Sequence, residues 1–522
     1  MKKKIFQIVI LILLLSYYGF FLADKIDLTT TDLGRHLKNG EIAMSAIFND
    51  GATFNQLLKT NFYSYTNPDY SFINHHWASG VIFYLLVQLF GFSGLSLFYI
   101  IFSLLVFFLF FKLAQKNSNF TIAALSALLL IPLIAERREI RPEIFSYLFF
   151  ALFLWILWHY RQGLISHRWL AVLPLMGLVW VNLHIYFILG LFLIGAFLFE
   201  EIVVPRFRNK KKIKNLSLAF ALTALSFLIQ PSGLKGALYP LNIFREYGYR
   251  VVENQSVWFL EKIGIINNPN LLLFEIVFPI LIVSFILLFF LNRKEFSLIF
   301  FFLGIIFGIM AFLALRNFTP FSFFALVILA YNFDKILNKI NFRQPVIKAV
   351  VLILFLIIAC FGIINNQRII LYSDKGLGLL LNNNAAAEFY RALNIQGPVF
   401  NNYDIGSYLI YHLFPEEKVF VDNRPEAYPT SFFKEIYIPA QEGENIWETL
   451  DSKYNFNAIF FSHRDYTPWG QKFLIKRVND GNWAPVFADG YSIIFLKRND
   501  LNQAIIKNYE ILKNFFSITK TQ

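Results

Sequence analysis

The sequence predicts a polytopic α-helical membrane protein, with about eleven transmembrane helices and a C-terminal extracytoplasmic α/β domain. Apolar residues make up 57% of the chain and charged residues only 16%, whereas soluble domains carry about 25% charged residues. The apolar residues also lie in blocks long enough to cross a bilayer as helices. After residue 370, short β-rich runs alternate with helical stretches, which is typical of a compact α/β domain.

The N-terminus has the features of a membrane anchor. Met1-Lys-Lys-Lys4 precedes an apolar run from Ile5 to Leu22, and no small-x-small cleavage site follows. We therefore interpret residues 1–22 as an uncleaved signal anchor with a cytoplasmic N-terminus. The net charge of +13 arises from Lys and Arg in short loops between apolar blocks, which indicates positive-inside topology and no nucleic-acid partner. The single cysteine, Cys360, can form no internal disulfide.

Charge asymmetry sets the predicted topology. Trp77–Phe90 is apolar but short, and if it crossed the membrane the most basic loop, residues 206–214, would lie outside. We therefore expect residues 77–90 to lie at the membrane surface, within a first external loop of residues 23–92. The helical core, residues 93–366, then has spans at about 93–113, 119–135, 142–159, 168–182, 184–202, 214–230, 271–291, 296–314, 318–333 and 347–366. This arrangement makes the chain a multi-pass protein of the bacterial inner membrane, with residues 370–522 outside the cytoplasm.

The C-terminal domain is predicted from its strand and helix patterns. An Asp489-Gly490 pair between the last two runs indicates a hairpin. Helices are expected at Ala385–Leu393 and Ile446–Tyr454. The predicted strands are Pro398–Asn401, Lys418–Asp422, Asn457–Ser462, Ala484–Ala488 and Tyr491–Leu496.

The first external loop holds the strongest candidate for chemistry. Asp32, Arg35 and His36 have i, i+3, i+4 spacing, so on a helix they share one face. An acid just above the bilayer can serve as a general base or help to hold a metal. The alternative is structural, because Thr29-x-x-Asp32 also fits a capping box. The other acids of this loop that we expect to line a cavity open to the outer leaflet are Asp27 and Glu41.

Three histidines are weaker candidates. His75 and His76 open the interfacial helix, but neighbours on a helix diverge by about 100°, and aromatic side chains at a membrane boundary often serve as anchors. His184 ends Trp180-Val-Asn-Leu-His184 within a long apolar stretch, where polar groups usually face the protein interior. We predict that Asp32 lies within reach of His36 and at least one of these three.

Arginines gather on the side of the membrane where the charge rule expects few. The segment Glu136-Arg-Arg-Glu-Ile-Arg-Pro-Glu143 carries three, and a fourth lies in a turn between two spans. Guanidinium groups bind phosphate bidentately, so recognition of a phosphorylated lipid is one explanation. Ion pairs within the loops are the other. The arginines concerned are Arg137, Arg138, Arg141 and Arg316.

Several function classes are disfavoured. The sequence has no phosphate-binding Gly-rich loop, metalloprotease helix, CxxC pair or nucleophile elbow. A transporter or lipid flippase predicts internal repeats and charges near mid-membrane, whereas most charges cluster at the span ends. That function stays as an alternative, together with a non-catalytic scaffold of the cell envelope.

The order of these features resembles the GT-C superfamily of integral membrane glycosyltransferases, which use lipid-phosphate sugars. The stretches Asp32-Leu-Gly-Arg-His36 and His75-His-Trp77 are similar to the acidic first loop and juxtamembrane helix of that family. Arg141-Pro142 and Trp180-Val-Asn-Leu-His184 resemble the bacterial branch related to protein O-mannosyltransferases.

Two further stretches are similar to the catalytic subunit of oligosaccharyltransferases. Leu315-Arg-Asn-Phe-Thr319 resembles the arginine turn that contacts the lipid phosphate in that family. Asn402-Tyr-Asp-Ile-Gly406, followed by Asp422-Asn-Arg424, resembles its Trp-Trp-Asp-Tyr-Gly region, but both tryptophans are missing. Recognition of a glycosylation sequon is therefore not implied.

The resemblance implies inverting transfer of a sugar from a polyprenyl-phosphate donor to an acceptor hydroxyl on an envelope glycan, lipid or protein. It implies Asp32 as general base and the four arginines as ligands of the donor phosphate. It places the acceptor side at Tyr403, Asp404, Asp422 and Arg424, although a turn and a structural ion pair are the alternative for the last three. The metal is unknown and the need for a divalent cation stays open, because the second external loop has Glu136, Glu139 and Glu143 where the family has paired aspartates.

Overall fold

The computed structural model describes residues 2–242, 245–263, 268–339, 345–366 and 373–517. The chain divides into two compact units, each assembled from separate stretches of sequence. The helical unit comprises Met1–Asp24, Ser96–Pro240 and Arg250–Leu377. The mixed unit comprises Lys25–Leu95, Leu241–Tyr249 and Gly378–Gln522.

Helices account for most of the described chain before residue 366. In chain order they are α1 (Lys2–Leu22), α2 (Leu33–Asn49), α3 (Gly51–Lys59), α4 (Trp77–Asn117), α5 (Phe120–Ile134), α6 (Glu143–Arg161), α7 (Val172–Leu183), α8 (Ile188–Val203), α9 (Lys210–Ser226), α10 (Gly233–Leu238), α11 (Val257–Ile263), α12 (Pro269–Leu291), α13 (Leu298–Leu313), α14 (Phe318–Lys339) and α15 (Pro345–Asn365). Every predicted span overlaps one of them. In α4 the backbone leaves helical geometry at Gly91 (φ 66°), at the boundary predicted between the surface helix and the next span.

The described residues include seven helices that are long and apolar enough to cross a membrane. Leu298–Leu313 and Leu356–Asn365 are shorter apolar helices. The prediction of a polytopic helical membrane protein is therefore confirmed. The number of crossings and their orientation stay predictions.

Aromatic packing holds the helical unit together. Phe307 stacks on Phe324 at 4.0 Å between ring centres, and Trp158 stacks on Phe300 at 4.3 Å. Such pairs contribute about 0.5–1.5 kcal/mol beyond the area they bury. Because lipid tails are as apolar as these side chains, close packing rather than escape from water drives helix association in a bilayer. The high Phe content of the sequence supplies this packing.

The mixed unit contains a small sheet with helices around it, as the sequence predicts for the C-terminal domain. The strands β1 (Val399–Asn401), β2 (Ala458–Ser462), β3 (Trp483–Ala488) and β4 (Ser492–Lys497) lie in the order β1-β2-β4-β3. β1 pairs with β2 in parallel, and the other pairs are antiparallel. The helices are α16 (Ala385–Ala392), α17 (Gly406–Leu413), α18 (Ile438–Glu442), α19 (Glu444–Tyr454), α20 (Pro468–Asn479) and α21 (Gln503–Tyr509).

The strand predicted at Lys418–Asp422 is wrong. Only Val419 makes a β-type contact, an isolated bridge to Ser64. The backbone beyond it is bound by side chains instead: Asn401 accepts a hydrogen bond from the Phe420 N–H and donates one to the Val421 carbonyl. Because these side-chain bonds satisfy the backbone, the apolar run does not enter the sheet.

Candidate active site

Asp32 lies at the start of α2, where its carboxylate faces its own helix. It occupies the N-cap position, but its side chain makes no capping hydrogen bond. Asp32 Oδ2 lies 3.3 Å from His36 Nε2 and 3.6 Å from Arg35 Nη2. The three residues therefore share one face. Thr29 does not form the alternative capping box, because its hydroxyl donates to Asp27 Oδ1.

A close glycine contact brings a second histidine to this cluster. Gly40 in α2 meets Gly80 in the first turn of α4, and a Cβ on Gly40 would lie 2.2 Å from the Gly80 carbonyl oxygen. Only two residues without side chains allow this approach. As a result, the rings of His36 and His76 lie 5.6 Å apart, edge to face.

Arg35 is buried where α2 meets α17. Its backbone N–H donates to Ser407 Oγ at 2.9 Å, and its side chain is 5% exposed. Burial and the positive charge of Arg424 lower the pKa of Arg35, whereas Asp32 and Asp422 raise it. The charges of the first external loop and of the C-terminal domain are thus coupled within the mixed unit.

Asp422 and Arg424 form a buried bidentate ion pair. Arg424 donates from Nε to Asp422 Oδ1 at 2.7 Å and from Nη2 to Oδ2 at 2.6 Å. Two other residues also bind the pair: Arg424 Nη2 donates a hydrogen bond to Asn61, and the Tyr428 hydroxyl donates one to Asp422. This geometry fits the structural alternative for the pair, a structural ion pair within the C-terminal domain.

The two alternative acids of the loop already have partners. Asp27 accepts from the Thr29 backbone, from Asn383 at 3.0 Å and from Arg464 at 3.1 Å. Glu41 pairs with Lys38 at 2.8 Å. Asp27 therefore ties the loop to the C-terminal domain, and Asp32 is the better candidate for a base.

Tyr403 and Asp404 lie just before α17. The Tyr403 ring stacks on Tyr249 at 4.1 Å, and its backbone N–H donates to the Tyr437 hydroxyl. Burial and the neighbouring Asp465 carboxylate raise the pKa of Asp404 to about 7. A carboxyl group with this pKa exchanges protons near neutral pH.

In the helical unit, Arg137 is bound by two carboxylates. Its Nη1 donates to Glu253 at 2.5 Å and its Nη2 donates to Glu143 at 2.6 Å. The side chain is only 8% exposed. These bonds fix Arg137 as the centre of an arginine cluster, which we define as Arg137, Arg141 and Arg316.

The outer members of the arginine cluster are bound less completely. Arg141 contacts Glu139 at 2.8 Å and Glu253 at 3.4 Å. Arg316 reaches Asn254 at 3.1 Å and Glu143 only at 3.5 Å. Burial would raise the pKa of Glu253, but the three arginines of the cluster overcome this effect and lower it to about 2.

Arg138 belongs to a neighbouring group of charges. Its Nε lies 3.0 Å from Asp24 Oδ2, and Lys375 Nζ lies 2.5 Å from the other oxygen of Asp24. With 32% of its side chain exposed, Arg138 is the most accessible of the four predicted phosphate ligands. Both groups of cations therefore include solvent-accessible N–H donors.

His184 is buried in the helical unit and makes hydrogen bonds there. Its Nδ1 lies 2.7 Å from Ser146 Oγ, which also accepts from Trp180 Nε1 at 2.7 Å. This network gives the Trp-x-Asn-x-His stretch a structural duty at the junction of α6 and α7. A role for His184 beside Asp32 stays a prediction.

Among the described residues, no three His, Cys, Asp or Glu side chains are grouped so that they could hold a metal ion. The rings of His75 and His76 lie 4.0 Å apart. The acids of the second external loop do not converge on one point: Glu136 is bound by Asn268 and Asn270, Glu139 by Arg141, and Glu143 by Arg137. These residues do not fit a shared divalent cation.

Sequence reasoning missed Glu253, Asp465 and Tyr249. Glu253 lies in the segment between α10 and α11, and Asp465 lies three residues after the end of β2. The segment 136–143 contains three arginines and three glutamates, so its charge balance gave no sign of an acidic partner elsewhere. Nothing local in the sequence marks Glu253 as that partner.

Comparison with known proteins identifies the fold. No family model matches the sequence, and no curated protein matches it. Among solved structures, the chain is similar to the archaeal oligosaccharyltransferase AglB from Archaeoglobus fulgidus in complex with an inhibitory peptide and a dolichol-phosphate. The TM-score is 0.58 at 14% identity, covering 94% of this chain and 74% of that one.

Two other enzymes share the fold. ArnT from Cupriavidus metallidurans, bound to undecaprenyl phosphate, has a TM-score of 0.53 at 12% identity and covers 95% of this chain and 98% of its own. The arabinofuranosyltransferase AftD from Mycobacteria has a TM-score of 0.53 at 14% identity, with 95% of this chain and 40% of that one covered. The chain therefore has the fold of the GT-C membrane glycosyltransferases, as its sequence predicts.

Proposed function

We propose that the chain is an inverting glycosyltransferase that moves a sugar from a polyprenyl phosphate to an acceptor hydroxyl in the cell envelope. The observation that carries this proposal is the Asp32 carboxylate, which is 20% exposed and is held by Arg35 and His36 on the first turn of α2. The solved structures that share the fold add support, since they include complexes with dolichol-phosphate and undecaprenyl phosphate.

The mixed unit supplies the base. Asp32 removes the proton of the acceptor hydroxyl while the oxygen of that hydroxyl attacks the anomeric carbon of the sugar. The bond from that carbon to the phosphate oxygen breaks, and the configuration inverts. His36 Nε2 and the buried Arg35 Nη2 both lie beside Asp32 Oδ2, at 3.3 and 3.6 Å, so they orient the carboxylate. A positioned base of this kind contributes about 10²–10⁴-fold to the rate.

The helical unit supplies the cations for the leaving group. Polyprenyl phosphate departs as an anion, and preorganised N–H donors stabilise the charge that develops on it. We propose Arg141, Arg316 and Arg138 as the donors, because each is partly exposed. Arg137 holds the cluster in place through Glu143 and Glu253.

The test is an in vitro assay of the purified protein with a panel of polyprenyl-phosphate sugars. We expect one donor to be consumed and polyprenyl phosphate to be released. Arg316→Gln should raise the KM for that donor about 10- to 100-fold, since a charged hydrogen bond contributes about 1.5–3 kcal/mol. Arg498→Gln is the matched control, because Arg498 also pairs with a carboxylate but lies after β4. Consumption of no donor in the panel would contradict the proposal.

A further inference from the structure

The mixed unit contains an aromatic cluster with an accessible rim. Tyr249 stacks on Tyr403 and also lies 6.4 Å from Trp469 and 6.0 Å from Tyr437, measured between ring centres. Tyr403 and Tyr437 are buried, whereas Tyr249 and Trp469 are partly exposed. The cluster thus has a buried floor and two rings that a ligand can contact.

The rim carries polar groups that the protein itself does not use. Trp469 Nε1 is buried and has no hydrogen-bond partner among the described residues. In the same part of the chain, the neighbouring acid Asp465 accepts from Thr467 and Asn402. Among the described residues, none donates a hydrogen bond to the Asp404 carboxylate, although Asp404 is partly buried beside Asp465. Unused polar groups in a partly buried place are costly and are found at binding sites.

The backbone is shaped to deliver Tyr249 to this place. Gly248 has φ +84°, and a Cβ there would lie 2.7 Å from the Thr430 carbonyl oxygen. The preceding Glu246 is held by Thr430 Oγ1, which donates to its carbonyl, and by Lys434 at 2.6 Å. A glycine is therefore required immediately before Tyr249. The contacts of Glu246 with Thr430 and Lys434 fix the segment that precedes it.

We propose that Tyr249, Trp469 and Asp404 form a subsite that binds a neutral saccharide, and that the acceptor of the proposed transfer is accordingly a glycan. This inference rests on the proposed function for its role in transfer, but the subsite is argued from its own geometry. A sugar ring presents an apolar C–H face, which packs on aromatic rings, and hydroxyls that both donate and accept hydrogen bonds. The indole N–H offers a donor and Asp404 an acceptor at the rim.

The negative charges of Asp404 and Asp465 determine which class of ligand the subsite can bind. Asp404 and Asp465 would repel a phosphorylated or carboxylated ligand at this place. Because burial and Asp465 raise the pKa of Asp404 to about 7, that carboxyl group can also donate a hydrogen bond when it is protonated. The hydroxyls of a neutral saccharide donate hydrogen bonds to the ionised carboxylate of Asp404 and accept one from its protonated form.

The test measures saccharide binding by the full-length protein in nanodiscs, by saturation-transfer NMR and tryptophan fluorescence. The probes are three neutral trisaccharides: maltotriose, mannotriose and cellotriose. We expect at least one to bind. Trp469→Phe, which keeps an aromatic ring but removes the N–H, should weaken binding about fivefold, the effect of one lost hydrogen bond. Tyr249→Ala should weaken it five- to tenfold.

The control is Tyr466→Ala, because Tyr466 is 72% exposed and only three residues from Trp469. Its affinity should equal that of the wild type. The proposal is overturned if none of the trisaccharides binds, or if binding is unchanged in both Trp469→Phe and Tyr249→Ala. An adequate fold in each variant is checked by its thermal unfolding.

Donor turnover separates this inference from the proposed function. In the absence of any glycan, the wild type and the control Tyr466→Ala should both hydrolyse the donor slowly, and Asp32→Asn should not. If donor cleavage depends on Asp32 but no trisaccharide binds, the saccharide subsite fails and the proposed function stands. If trisaccharides bind through Tyr249 but no donor is cleaved, the subsite stands and the proposed function fails.

Discussion

Replacing Asp32 with Asn separates a catalytic role from a structural one. The substitution keeps the shape of the side chain and removes its charge. Because Asp32 makes no capping hydrogen bond, α2 loses no cap, and Asn is as good an N-cap residue as Asp. The substitution alters the contacts of 3.3 and 3.6 Å with His36 and Arg35, at a partly exposed position. Asn keeps a side-chain oxygen near both partners, so the substitution exchanges a charged contact for a neutral one, a difference of about 1 kcal/mol in folding.

The expected kinetic effect is much larger. Loss of a general base lowers the rate about 10²–10⁴-fold, which corresponds to about 3–5.5 kcal/mol of transition-state stabilisation at about 1.4 kcal/mol per decade. We therefore expect Asp32→Asn to unfold at nearly the same temperature as the wild type but to transfer sugar at least 100-fold more slowly. The assay follows release of polyprenyl phosphate at saturating donor and acceptor.

A second aspartate gives the matched control. Asp50 is a true N-cap of α3, where its carboxylate accepts hydrogen bonds from the backbone of Ala52 and Thr53. Asp50→Asn should change stability slightly and leave transfer unaltered. If Asp32→Asn retains full activity while Asp50→Asn behaves as expected, Asp32 is not the base and the reasoning is refuted.

Three further predictions follow from the structure. Gly40→Ala forces α2 away from α4, so transfer activity should fall and the free energy of unfolding should drop by about 1–3 kcal/mol in thermal or chemical denaturation; unchanged values would contradict the close contact. Glu253→Gln removes a carboxylate whose pKa is about 2, so it should tighten binding of polyprenyl phosphate several-fold in a competition assay, and weaker binding would reverse our view of the arginine cluster. That carboxylate stabilises the fold above its unfolded pKa near 4.5, and this contribution should disappear as the pH falls toward 2. In a Cys360→Ala background, an impermeant thiol reagent applied to intact cells should label a cysteine at Tyr466, which is 72% exposed, and not one at Lys211; the opposite result would invert the topology.

Local patterns in the sequence were sufficient to predict the elements of the fold. The apolar blocks predicted the long helices. The Asp489-Gly490 pair between two β-rich runs predicted the β3–β4 hairpin. The i, i+3, i+4 spacing gave the contacts of Asp32 with Arg35 and His36, because these depend only on helix geometry. Local patterns could not give the bend after Val419, which depends on the side chain of Asn401.

The partners of the charged residues were beyond prediction for the same reason. Arg137 is paired with Glu253, which is 116 residues away in the chain, and Asp27 is bound by Arg464, 437 residues away. Ion pairs of this kind are fixed by tertiary packing, and an acid anywhere in an external loop would have satisfied the sequence equally well. The aromatic position of Tyr249 likewise depends on how Gly248 meets Thr430.

The contact between the first loop and the C-terminal domain has a consequence for biosynthesis. Thr66 donates to the Phe420 carbonyl, and these residues are 354 positions apart. At about 5–20 residues per second, a ribosome needs on the order of 20 to 70 s to travel that distance. The loop that carries Asp32 emerges early, and the segment Val419–Phe420 that it contacts is synthesised only after all the helical segments between them. During that interval it depends on chaperones or on the membrane surface for protection, and a nascent chain interrupted before residue 378 should expose it to proteases.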